Sequence, residues 1–382
     1  MVKILHTGDW HVGRSIQGHS RLAEHEAVAA EIVEIARTEA VDVVLVAGDL
    51  FDGAAPAPES ERLVYRTLLD LGDSAGVVVI PGNHDNERRF GAVAPLFALA
   101  GVTIVASVGP QACREIRTRS GETVRLALLP WLSQRYVVKA DQLMSSNGAE
   151  LAGQYAERVG RIIAVLTADF SEETVNVVLG HVTILGGQLG GGERTAQTVF
   201  DYCVHSSVFP SSAHYVALGH LHKAQAIAGA CPIHYCGSPL QLDFSESHQD
   251  KCVLVVEARA GTPAEVREVP LRSGRNLQTL SGTLEELAKM AGRTGADYLR
   301  VKVTEPSRAG LADAVRELFP HAVQIIPDRD SQRKPGAPPR ACPATSPQEL
   351  FARYLEAKGI RDERMLALFG RLYEEAHETQ PA

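Results

Sequence analysis

Apolar positions in the first third of the chain alternate between two patterns. Residues 2–6, 41–47 and 77–80 are short, predominantly apolar runs rich in valine, isoleucine and leucine, the mark of strands buried on both faces. Between them, residues 24–39 place Ala27, Ala30, Ile32, Ile35 and Ala36 at helical spacing, and 59–71 is read as a helix too. Buried strands alternating with such helices predict an α/β core. Further strand-like runs at 123–129, 174–179, 215–218, 233–236 and 252–257 supply a second sheet half. The predicted architecture is a layered β-sandwich flanked by helices.

A smaller α/β module is expected after it, with helices at 284–290 and 311–318 and strands at 298–303 and 322–326. Residues 329–346, rich in proline and polar groups, read as a linker. Beyond it, 347–359 and 362–377 are predicted as two short amphipathic helices. Their apolar positions are Leu350, Phe351, Tyr354 and Leu355, then Met365, Leu366, Phe369, Leu372 and Tyr373. Helices cut off by a linker bury little on their own, so docking on a partner protein is expected.

Composition narrows the picture. Apolar residues make 45% and charged residues 22% of the 382, as in soluble globular proteins. No run of eighteen apolar residues occurs, so no membrane span is predicted. The opening MVKILHTGDW lacks a signal-peptide pattern. The six cysteines include no CxxC pair and read as thiols of a reducing compartment, which places the chain in the cytoplasm. A net charge of −8 argues against coating nucleic acid by bulk electrostatics. The anomaly is fourteen histidines against eight lysines.

Five short segments concentrate that excess: Asp9-Trp10-His11, Gly48-Asp49, Gly82-Asn83-His84-Asp85, Gly180-His181 and Gly219-His220-Leu221-His222. Each closes an apolar run, where α/β folds place their ligands. Oxygen and imidazole donors without thiolate suit manganese, iron or zinc. Seven donors are too many for one ion and suit two ions sharing a carboxylate. Two cations about 3.5–4 Å apart activate water and neutralise phosphate charge, which is what phosphodiester hydrolysis needs. His205, His214, His234, His248, His321 and His377 are read as structural, and His6 as packing beneath the site; His19 and His25 are left open.

The ordered pattern DxH…GD…GNHD…GH…GHxH resembles the calcineurin-like metallophosphoesterase superfamily. The resemblance implies one metal on Asp9, His11, Asp49 and His222, and a second on Asp49, Asn83, His181 and His220. It implies two divalent ions, manganese first, with magnesium, iron or zinc as alternatives. His84 would lie near the leaving oxygen as acid or positioning donor, with Asp85 orienting its imidazole. Residues 1–270 would form the phosphoesterase domain, 271–328 a capping domain and 347–382 the partner-docking helices.

The longer stretches ILHTGDWHVGR, VAGDLFD, PGNHD, ALGHLHKAQ and YCGSPLQLDFSE resemble the SbcD-type branch of the Mre-type DNA repair nucleases. That resemblance implies a double-strand exonuclease and single-strand or hairpin endonuclease. It further implies a coiled-coil ATPase partner of the SbcC type and a homodimer within a heterotetramer. The two helices around 59–71 and 88–100 would pair in that dimer. Asp52 stands where archaeal and eukaryotic relatives carry a histidine, and its role is open. Hydrolysis of cyclic nucleotides or other small phosphoesters is the alternative on the same scaffold. Candidate phosphate contacts beside the metal loops are Arg14, Arg21, Arg88, Arg89 and Lys223. The glycine-rich stretch 185–194 is expected to be flexible and to order over substrate. It lacks the GK[ST] ending of a phosphate-cradling loop.

Overall fold

A computed structural model of the chain describes residues 1–133, 148–193, 203–306 and 308–327, with isolated positions 351, 354, 355, 364–366, 368 and 369. Two six-stranded sheets form its body. The first runs, in spatial order, Thr262–Pro270, Cys252–Arg259, Val2–Thr7, Val43–Val46, Gly76–Val79 and Val102–Ile104. The second runs Gln225–Ile227, Ile233–Tyr235, Tyr215–Gly219, Val175–His181, Thr123–Leu129 and Cys113–Arg117.

The central strands of both sheets are parallel, so their C-terminal ends share one edge. Thr7 pairs with Val46, and Val46 with Val79. In the second sheet Gly219 pairs with His181, and Leu129 with Gly180. The loops that carry the chemistry therefore leave neighbouring strands at the same level, an arrangement set by register.

Side-chain alternation along each strand divides the core. Ile4, Val43, Leu45, Val78 and Ile80 join Leu128, Val177, Leu179, Val216 and Leu218 between the sheets. Leu5, Val44, Val46, Val77 and Val79 point the other way. They meet Ile32, Val33 and Ala36 from helix Leu22–Thr38, Val64 and Leu68 from Pro58–Gly72, and Phe90 and Phe97 from Glu87–Ala98. Helix Gly148–Leu166 covers the second sheet with Tyr155, Val159 and Ile163. Each such side chain contributes about 1.5–3 kcal/mol by burial, so these two layers hold the loops in place.

A separate parallel sheet of Leu277–Gly282, Tyr298–Val303 and Ala322–Pro327 follows. Helices Leu284–Ala288 and Leu311–Leu318 pack on it around Leu287, Val301, Val303, Val315 and Phe319. It meets the body through Ile16, Phe244, Leu277 and Tyr298. Strands Val102–Ile104, Cys113–Arg117, Gln225–Ile227, Thr262–Pro270 and Leu277–Gly282 and helix Gly148–Leu166 were not predicted. The four outer strands of the two large sheets lie at their edges, where a half-exposed strand need not be apolar. The linker and most of the two terminal helices lie outside the described residues; among those described, the Phe351 and Phe369 rings stack at 4.2 Å.

Candidate metal centre

The loops at the shared edge are tight. Asp9, His11, Asp49 and His220 have positive φ values of 49°, 47°, 51° and 101°, a conformation that costs a non-glycine residue on the order of 1–3 kcal/mol. Backbone bonds hold it. Asp9 N–H donates to Gly48 O and His11 N–H to Asp49 O, both at 2.9 Å, lacing the first loop to the second. His84 N–H donates to Asp49 Oδ1 at 2.8 Å, and His220 N–H reaches the Asp9 carboxylate at 3.0 Å. Glycine at 82 and 219 permits close approach: a Cβ there would lie 2.2 Å from Asp49 Oδ1 and 2.0 Å from Ala47 O, respectively.

Two donor groups result, both buried. Asp9, His11 and His222 form one, with donor atoms within 4.8 Å of each other. Asp49, His181 and His220 form the other. Asn83 Oδ1 joins the second, 2.9 Å from His181 Nε2 and 2.8 Å from His220 Nδ1. Asp49 Oδ2 lies 3.5 Å from His181 Nε2 and 3.6 Å from His11 Nε2, between the groups. All seven sequence-predicted ligands are thus brought to one place.

The donor set fits divalent cations. Nε2 of His11 and Nε2 of His220 are buried without a hydrogen-bond partner, an arrangement that is costly unless another group satisfies them, while His11 Nδ1 faces Asp52 Oδ1 at 3.5 Å. His181 Nδ1–H donates to Ala47 O at 2.6 Å, which fixes the ring and turns Nε2 toward Asp49 and Asn83.

Electrostatics describe a crowded set of groups awaiting charge compensation. Burial raises the Asp9 carboxyl to about 7. Burial also opposes ionisation of Asp49, but the charges of His181, His11 and His84 outweigh it and hold its carboxyl well below the usual range. His181 rises to about 9 because Asp49, against burial, favours its charged form. Burial lowers His11 to about 4 and takes His220 well below its ordinary value.

His84 is buried, its ring 4.6 Å from that of His11, and its Nδ1 donates to the carbonyl oxygen of Asp52 at 2.9 Å. Asp85 does not take the role expected for it. Its carboxylate accepts the backbone N–H of Gly82, Phe51 and Leu50 at 2.9, 3.1 and 3.2 Å. Three nearby amides use up its lone pairs, so it fastens the loop, and a backbone carbonyl orients the imidazole. Burial, then the Asp49 charge, raises Asp85 to about 7.

The expected phosphate contacts fare differently. Arg21 is a correction: its side chain is fully buried, paired with Glu24 and bonded to the carbonyls of Gln241 and Arg275. It ties the first helix to the edge of the small module and has no surface to offer DNA. Arg14 is part-exposed and pairs with Asp52 at 3.2 Å; Lys223 bonds Gln188. Arg88 is exposed, and the exposed Arg89 pairs with Glu61 at 2.7 Å.

Most of the glycine-rich stretch lies among the described residues. Gly190 and Gly191 N–H donate to Glu193, which also accepts His222 N–H at 2.9 Å. Gly192 packs on Glu246 and His222. This strip packs over His222.

Sequence reasoning missed Trp131, whose ring stacks on His220 at 5.0 Å, and the buried pair Glu246 and Lys251 behind His222. Trp131 follows the apolar strand Thr123–Leu129, the only signal for it. His6 is buried beneath the site on Tyr215 OH at 2.8 Å. His214 accepts N–H from Asn176 and donates no ligand. His25 is buried and His19 exposed.

Two buried His and carboxylate groups sharing one aspartate, at the strand edge of a two-sheet sandwich, define the metallophosphoesterase class. Residues 2–224 match the family model described as calcineurin-like phosphoesterase, and 273–359 match one described as Type 5 capsule protein repressor C-terminal domain. The SbcD chain of the nuclease SbcCD from Bacillus subtilis (strain 168) is 30% identical over 382 residues, 96% of this chain and 97% of that protein. The SbcD chain from Rhodobacter capsulatus is 30% identical, covering 92% and 94%. That from Escherichia coli (strain K12) is 29% identical, covering 75% and 72%. The chain belongs to the calcineurin-like phosphoesterase family, in the branch of the SbcD chains of SbcCD nucleases. Among the described residues no helix is long and apolar enough to cross a membrane.

Proposed function

We propose that this chain is a divalent-metal-dependent DNA nuclease subunit that works with an SbcC-type ATPase. The observation that carries the reading is Asp49 Oδ2, 3.5 Å from His181 Nε2 and 3.6 Å from His11 Nε2. One carboxylate oxygen between two imidazoles is the geometry of a shared ligand.

Asp9, His11, Asp49 and His222 would hold one cation, and Asp49, Asn83, His181 and His220 the other. When bound, such a pair lowers the pKa of water and neutralises phosphate oxygens, with manganese the ion we favour. The chain's own residues supply the rest. His84 Nδ1–H is held by Asp52 O, which fixes the orientation of the ring, and His84 would act at the leaving oxygen as acid or positioning donor. Arg14, Arg88 and Lys223 flank the loops and would grip phosphates on either side of the scissile bond, without reading bases. Trp131 and the Gly190–Gly192 strip exclude water from the donor groups.

The substrates in this reading are duplex ends, hairpins and single strands. Residues 1–270 serve as nuclease domain, 271–328 as cap, 329–346 as linker and 347–382 as docking helices, with two copies joining two ATPase subunits in the cytoplasm. The test incubates the chain, with and without its ATPase partner, with end-labelled duplex, hairpin and single-stranded DNA in manganese or magnesium. Cleavage is expected in manganese. No cleavage under any condition, while a generic phosphodiester is hydrolysed, would transfer the site to small phosphoesters and overturn the nuclease reading.

A further inference from the structure

Behind the metal centre lies a second buried ionic group that the hydrolytic chemistry does not itself require. Glu246 is fully buried. Its Oε1 lies 3.2 Å from His222 Nδ1, and its Oε2 accepts from Lys251 Nζ at 2.7 Å and Leu242 N–H at 3.0 Å. Lys251 Nζ also donates to the carbonyl oxygen of His222 at 3.0 Å and to Ser238 Oγ at 2.9 Å. The cluster therefore holds His222 twice, by its ring and by its backbone.

We propose that Glu246, neutralised by Lys251, is a positioning residue that fixes the tautomer and ring angle of His222. Oε2 faces three donors, Lys251 Nζ, Leu242 N–H and Ser238 Oγ, and with the Lys251 cation beside it Oε1 is left as the acceptor for His222. The proton between Oε1 and His222 must then sit on Nδ1, which leaves the Nε2 lone pair for the group formed with Asp9 and His11. The packing enforces this. A Cβ on Gly192 would lie 2.2 Å from Glu246 Oε1 and 2.9 Å from His222 Nδ1, so only glycine lets the strip close over the pair. Isolated, a buried carboxylate would be costly, and the lysine that compensates it is itself almost fully buried.

This inference rests on the two-metal reading and can fail separately from it. Manganese binding to the full chain is measured by calorimetry and by the spin signal of the bound ions, for wild type, Glu246→Gln and the charge-neutral double variant Glu246→Gln/Lys251→Met. The double variant avoids leaving Lys251 buried alone should the single one fold poorly. Wild type is expected to bind two ions. The variants are expected to lose about 10–100-fold in affinity at one site, while the site containing Asn83 and His181 changes little. Nitrogen-15 imidazole spectra of the metal-free wild type, with His222→Asn to assign the signal, are expected to show the Nδ1–H tautomer. Variants that bind both ions as tightly as wild type, or an Nε2–H tautomer, would overturn the proposal. A wild type that binds no manganese would instead overturn the two-metal reading beneath it.

Discussion

Gly219→Ala tests whether the site depends on the approach of the two sheets. A Cβ at 219 would lie 2.0 Å from Ala47 O, 3.0 Å from Ala47 C and 3.0 Å from His181 Nδ1. Ordinary contact begins at 3.4 Å, so the strand ends must part by about 1.4 Å. Neither neighbour is the free end of a flexible side chain: one is backbone, and the other is anchored to Ala47 O at 2.6 Å. Overpacking of this kind costs about 1–3 kcal/mol, and losing the His181 anchor adds about 1 kcal/mol. A total of about 2–4 kcal/mol, against an unfolding entropy of about 2.1 cal/mol/K per residue over 382 residues, corresponds to a Tm lowered by roughly 2–5 °C. Because Asp49 follows Ala47 by two residues and His220 follows Gly219, manganese affinity at the second donor group should also drop at least about tenfold. Calorimetric unfolding and manganese titration measure both. Gly153→Ala is the control. Gly153 lies within a helix with nothing within 4 Å of a Cβ, so that change should stabilise by about 0.5–1 kcal/mol. A Gly219→Ala chain with the wild-type Tm and two tightly bound ions would refute the packing argument.

Four further outcomes are expected. Asp49→Asn keeps the acceptor for His84 N–H but removes the shared charge, so metal analysis should find no more than one manganese per chain; two would exclude bridging. His84→Gln should keep both ions while DNA cleavage falls about 10²–10⁴-fold, and retained cleavage would remove His84 from the chemistry. Arg21→Met leaves Glu24 buried and unpaired, which costs about 3–5 kcal/mol. Its effect should appear in urea unfolding, with no change in the salt dependence of DNA binding. The last concerns pH. Burial, and then the charge of His234, lowers His6 to about 3, while an unfolded histidine titrates near 6.5. Between those values the unfolded chain binds a proton that the folded chain refuses. The contribution is therefore fully present above about pH 6.5 and is lost as pH falls toward 3, by up to about 1.4 kcal/mol per pH unit. His25, lowered to about 3 by burial and then by Arg21, acts in the same sense. Urea midpoints between pH 7 and 5.5 should show a shallower decline in His6→Gln, and an unchanged slope would refute the assignment.

The local chemistry was legible in the amino-acid order. Strand Thr123–Leu129, strand Tyr298–Val303 and helix Leu311–Leu318 stand where the apolar pattern puts them, because a fully buried element must be apolar at every turn or on every face. The proposed ligands were legible for a related reason. A metal site draws on few side-chain types, and a parallel sheet delivers them at strand ends, so Asp9, Asp49, Asn83, His181 and His220 each follow an apolar run. What tertiary structure decided is which side chains meet across long gaps in sequence. Arg21 reads as a surface charge beside a metal loop, yet folding brings it to Glu24 and the carbonyl of Gln241, 220 residues away. Asp85 reads as a partner for its neighbour His84, yet three amides from two loops claim it. Glu246 closes the stretch YCGSPLQLDFSE, yet nothing in that stretch points to His222, and only the fold sets the two together. Periodicity and ligand type are properties of neighbours in sequence, and so the chain alone determined the central strands and the proposed donor set. Burial and hydrogen-bond partnership are properties of neighbours in space, and only the packed structure assigned the supporting residues their roles.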